Sequence, residues 1–183
     1  MRMFAAVDLD RGLREAVKRV QEELAGAGAG VKFVEPENLH FTVKFLGDIG
    51  EGQTSKVSDA LEKALSGVEA FRIGIKRVSY FGPKGQARAV FLEVEEGRAQ
   101  LEGLLESAGR ALDCFRHESR APKPHLTIGR AKSGRNMEEL LAKIRELSGV
   151  KVGEMDVKLV KLKASSLTEK GPVYSDARVF RLA

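Results

Sequence analysis

The chain has 183 residues, 43% of them hydrophobic and 31% charged, with a net charge of +5 and one cysteine. It is long enough for a full core in one unit, no apolar run approaches the ~18 residues of a membrane span, and a lone cysteine excludes an internal disulfide. The basic balance favours a polyanionic partner such as RNA.

In chain order, the opening MRMFAAVD reaches Asp8 too soon for a secretory leader and reads as a strand over 3–7; with the single cysteine this points to the cytoplasm. A helix over 10–25 carries an apolar stripe of Leu13, Val17, Val20 and Leu24. The run Gly26-Ala27-Gly28-Ala29-Gly30 then reads as a helix terminator and turn. Strands over 31–34 and 39–46 precede a helix over 53–65, and strands over 71–80 and 87–93 precede a helix over 98–112. Beyond it, Cys114 reads as a small buried hydrophobe and His117 as a solvated loop residue. A strand over 125–129 leads to a helix over 137–147 with Asn136 as its N-cap. The segment 155–162 reads as one strand whose apolar phase slips between Leu159 and Val160, a β-bulge, and a last strand covers 173–180. Helices interleaved with strands that are often adjacent in sequence argue for α+β with antiparallel pairing.

Two of the three histidines sit in copies of one pattern, His40-Phe41-Thr42-Val43 and His125-Leu126-Thr127-Ile128, each after a proline-containing lead-in. On a strand, residues i and i+2 share a face, so His40 projects with Thr42, and His125 with Thr127. The copies lie close to half the chain apart, which suggests two duplicated lobes facing one cleft. Two imidazoles and two hydroxyls around a small anion suit phosphodiester cleavage, which needs one group to take a proton and another to give one. The histidine spacings lack the patterns that build most metal sites, and no P-loop, dinucleotide fingerprint or Ser-His-Asp signature occurs.

These paired motifs resemble the two-histidine phosphoesterase superfamily, and within it the bacterial and archaeal RNA 2′,3′-cyclic phosphodiesterases, historically called 2′-5′ RNA ligases. The resemblance runs along nearly the whole chain: MRMFAAVD at the start, Lys32 to Gly47 around the first motif, PHLTIGR from Pro124 to Arg130, and Ser165 to Tyr174. Glu169 departs from the pattern, where close relatives would carry proline. The resemblance implies a bilobal α+β fold with pseudo-two-fold symmetry, antiparallel sheets facing a central cleft and helices outside, with residues 1–183 forming one domain. It implies hydrolysis of RNA 2′,3′-cyclic phosphate ends to 2′-phosphomonoesters, without metal or other cofactor, by a monomer.

The resemblance also implies a polarity, with His125 as general base and His40 as general acid; the residues alone leave the reverse open. Thr42, Thr127 and Arg130 are the expected phosphate ligands. Phe45, five residues after His40 as Arg130 is after His125, is either a nucleobase platform or core. Two alternatives share the motifs: end joining through a 2′-5′ linkage, and an RNA-binding module without turnover.

Overall fold

Alternating apolar residues become strands here, and every strand pairing among the described residues is antiparallel. The computed structural model describes residues 1–115, 123–169 and 171–183. In order these are β1 (Arg2–Asp8), α1 (Arg11–Ala25), β2 (Val31–Phe33), β3 (His40–Asp48), α2 (Thr54–Leu65), β4 (Phe71–Phe81), β5 (Ala89–Val94), α3 (Arg98–Leu112), β6 (His125–Ala131), α4 (Met137–Glu146), β7 (Lys151–Val157), β8 (Leu159–Thr168) and β9 (Gly171–Arg181). His117 lies outside the described residues.

The strands form one nine-stranded sheet in the order β7-β4-β5-β6-β3-β1-β8-β9, with β2 also beside β6. It divides into two halves, β7-β4-β5-β6 and β3-β1-β8-β9, that meet where β6 touches β3. The histidine motifs are therefore on the two central strands. The expected bilobal α+β arrangement is present, with its two sheets fused along this seam.

The sheet must be strongly curled. Strands β7 and β8 stand six places apart, which in a flat sheet is ~29 Å. Yet only Lys158 separates Val157 from Leu159, a reach of ~7 Å. The phase slip in 155–162 is thus a break between two strands on opposite flanks, and not a bulge within one strand. Met155 and Val157 pack in one half, Val160 and Leu162 in the other.

Helices cover the outer face. Helices α2 and α3 pack behind the half containing β3 and β9, and α1 and α4 behind the half containing β4, β6 and β7. The lobes are therefore interwoven and do not coincide with the two halves of the sequence. On α3 the stripe Leu101, Leu104, Leu105, Ala108 and Leu112 is fully buried, as its periodicity predicts. Asn136 precedes α4 but caps nothing with its side chain. It adopts a left-handed conformation (φ 49°), and its Nδ2 donates to the carbonyls of Ala27 and Gly28. Cys114, just past α3, is exposed, contrary to the buried role expected for it.

Candidate functional site

Phe41 and Leu126 are the register partners that join β3 to β6, and both are wholly buried. Each is the middle residue of its His-x-Thr motif, so the His and Thr on either side point to the opposite, inner face. Extending that antiparallel register by one residue sets His40 opposite Thr127, and Thr42 opposite His125. The two histidines are then diagonal neighbours, ~7–8 Å apart in a regular pair and somewhat closer at Cβ. All four side chains are half-buried.

A bulge follows each motif. Along β1–β3 the register slips at Val43, and along β5–β6 at Ile128. Both positions are one residue beyond the threonine. Strict alternation would send residues five after each histidine to the core face; the extra residue returns them to the histidine face. Phe45 accordingly pairs with Phe4 and Arg130 with Ala89. The Ile128 carbonyl accepts from Val34 N at 3.0 Å and from the buried Gln21 Nε2 at 2.9 Å. Gln21 sits within the apolar stripe of α1, a polar anchor that periodicity alone passes over. Close contact of β2 on β6 requires Gly129: a Cβ there would lie 2.9 Å from Val31 Cγ1.

The two imidazoles are held alike. His40 Nδ1 donates to the Asn38 carbonyl at 2.6 Å, and His125 Nδ1 to the Lys123 carbonyl at 2.7 Å. A carbonyl only accepts, so Nδ1 carries the proton in the neutral ring and Nε2 is left for chemistry. Aromatic rings from its own half bracket each histidine. His40 meets Phe4 at 5.0 Å and the edge of Tyr174 at 5.6 Å; His125 meets Phe81 at 4.9 Å and Phe91 at 5.5 Å.

Burial is the largest influence on both histidines and lowers both pKa values from 6.5. The carbonyl bonds oppose it. At His40, Asp8 also raises the pKa while Lys163 and His125 lower it; at His125, Arg130 lowers it. His125 on β6 thus acts on His40 in the other half, and Arg130 on β6 acts both on His125 and on Tyr174 of β9, so charged groups of the two halves lie near one another across the seam. Arg130 is exposed, and Phe45 is 49% exposed 6.0 Å from Phe4, which rules out a core role for it.

Among the described residues no group of three or more His, Cys, Asp or Glu is placed to hold a metal. No helix is long and apolar enough to cross a membrane among those residues. A separate hollow of about 670 Å³ lies between residues 85–88 and the start of α4, edged by Arg88, Lys132, Ser133 and Glu139. The histidine motifs do not line it.

An antiparallel α+β fold with two opposed His-x-Thr strands defines a two-histidine phosphoesterase. A family profile described as LigT like Phosphoesterase matches residues 7–91. A protein of Methanothermobacter thermautotrophicus named RNA 2′,3′-cyclic phosphodiesterase is 46% identical, covering 100% of this chain and 99% of that one. One of the same name from Archaeoglobus fulgidus is 41% identical, covering 98% of this chain and 99% of its own. Among solved structures, TT0787 of Thermus thermophilus superposes with a TM-score of 0.82 at 28% identity, over 100% of this chain and 98% of that one. E. coli LigT complexed with 3′-AMP shares the fold, with a TM-score of 0.79 at 20% identity, over 99% and 97% of the two chains. The chain belongs to the LigT-like phosphoesterase family.

Proposed function

We propose that this protein hydrolyses 2′,3′-cyclic phosphate ends of RNA to 2′-phosphomonoesters without a metal, residues 1–183 acting as one catalytic unit in a cytoplasmic monomer. The observation that carries the reading is the opposition of the two motifs across the Phe41–Leu126 seam, with each Nδ1 tied to a backbone carbonyl. The shared name of the relatives at 46% and 41% identity supports the reaction class.

Ring opening at the 3′ side needs a deprotonated water, a protonated leaving oxygen, and stabilisation of charge on the non-bridging oxygens. His125 Nε2 takes the proton from water as the water oxygen bonds to phosphorus. The P–O3′ bond breaks, and His40 Nε2 gives its proton to O3′. Arg130 favours neutral His125, the form a base requires. Thr42 and Thr127 hydroxyls donate to the non-bridging oxygens, Arg130 supplies fixed positive charge, and Phe45 offers a stacking face to the terminal base.

Incubation of an oligoribonucleotide bearing a 2′,3′-cyclic end, with EDTA present, tests the proposal. A 2′-phosphate with a free 3′-hydroxyl is expected. A 3′-phosphate product, or loss of turnover that a divalent metal restores, overturns it.

A further inference from the structure

The two histidines are held alike, but their charged neighbours differ. Asp8 is the Cα partner of His40 across β1 and β3. Lys161 and Lys163, two residues apart on β8, face it from the adjacent strand, and Asp176 reaches in from β9. Lys161 Nζ lies 2.9 Å from Asp8 and 2.6 Å from Asp176. Lys163 Nζ lies 2.9 Å from Asp8 and 2.7 Å from Asp176. The four groups close a ring of alternating charge, and the Lys163 side chain is only 8% exposed. Residues more than 150 positions apart in sequence are brought together beside one imidazole.

None of these four groups has a step in the proposed reaction. A ring this close to a titrating group nevertheless fixes the field that group feels. In the other half Glu93 stands opposite His125 in register. There the neighbouring Lys76 bonds Glu95 at 2.6 Å, and the charge acting on His125 is the cationic Arg130. Each imidazole thus has a carboxylate opposite it in register, but the one opposite His40 is braced by two lysines, while the guanidinium of Arg130 acts on His125.

We propose that Asp8, braced by Lys161, Lys163 and Asp176, is a positioning residue for His40: it biases that imidazole toward its protonated form and so sets one limb of the pH profile. The inference rests on the acid role proposed for His40. Among the described residues, the groups facing His40 are Asp8 on β1, Lys163 on β8, Tyr174 and, behind Lys163, Asp176 on β9, and His125 on β6. Of these, Asp8 raises its pKa, while Lys163 and His125 lower it. The lysines do two things: they hold the Asp8 carboxylate in place, and Lys163 moderates its pull on His40. Removing Asp8 or Lys163 should therefore shift His40 in opposite directions.

The test is an NMR titration of the histidine ring protons, assigned with single His→Ala variants, alongside pH profiles of kcat/KM. In Asp8→Asn the His40 pKa should fall by roughly one unit. The alkaline limb of kcat/KM should follow it, with activity about tenfold lower on the alkaline side. The His125 pKa should stay in place. In Lys163→Gln the His40 pKa should rise. Lost thermal stability with an unchanged His40 titration would make the ring purely structural and overturn the inference. If Asp8→Asn does not fold, an unchanged His40 pKa in Lys163→Gln overturns it equally. A His40 shift that moves the acidic limb instead supports the positioning role and overturns the acid assignment of His40, so the two readings fail separately.

Discussion

Phe41 stands directly opposite Leu126 across β3 and β6, and neither side chain reaches solvent. This single pairing joins the halves of the sheet and orients both histidine motifs, because each partner is the central residue of one motif. Core packing and the geometry of the proposed site are therefore coupled at one place.

Truncation there should be costly for both. Phe41→Ala should destabilise the fold by about 3–5 kcal/mol and Leu126→Ala by about 2–5 kcal/mol, from lost burial plus a residual cavity. The two touch the same seam, so the double variant should lose less than the sum of the singles. Urea denaturation of the three variants measures this. Additive losses would show that the seam is not a shared contact.

Each histidine should matter on its own. A positioned acid or base contributes ~10²–10⁴ in rate, so His40→Ala and His125→Ala should each lose about that much kcat while far-ultraviolet circular dichroism is unchanged. The double variant should be little worse than either single, because the two protons move in one reaction. Steady-state kinetics on a cyclic-phosphate end decides this, and full activity in either single variant would remove that histidine from the site.

The bulges predict different consequences for the two residues they redirect. Arg130→Met removes a cation beside His125. It should lower kcat/KM by about 10²-fold through weaker phosphate stabilisation and should shift the His125 pKa upward. Phe45→Ala should act on KM, with a loss of about 1–3 kcal/mol of base stacking and kcat nearly unchanged. A Phe45→Ala effect confined to kcat would place that ring against the reacting phosphate and not against a base.

The pH profile follows from burial. Both histidines have pKa values below 6.5 in the folded protein. With the roles proposed above, His125 as base would be neutral down to lower pH than a free imidazole, and His40 as acid would lose its proton at lower pH. The kcat/KM profile of the free enzyme should peak on the acidic side of 6.5 and fall as pH rises past it. A bound phosphate anion stabilises both imidazolium forms, so the kcat profile should be displaced toward alkaline pH. Stability should respond in the same window: unfolded imidazoles bind protons that the folded ones refuse, so this contribution is full above 6.5 and is lost as pH falls through the folded pKa values. A kcat/KM profile still rising above about pH 7.5 would contradict the lowered pKa values.

The sequence by itself determined the local chemistry. The His-x-Thr copies on strands, the buried stripe of α3 and the antiparallel α+β class all follow from periods of two and of 3.6 residues. The side-chain partners and the chain's path between halves are relations between distant segments, which local period does not encode. Alternation alone would turn Phe45 and Arg130 away from the histidines; only pairing with β1 and β5 reveals the bulges that bring them back. The phase slip near Leu159 was visible, but its meaning depended on which strands lay beside it: a bulge and a change of flank leave the same mark in one segment. Asp8, Lys163 and Asp176 look like ordinary surface charges in the sequence. The order β3-β1-β8-β9 sets them against one another and beside His40, because strand order, unlike strand pattern, is decided by the packing of the whole chain.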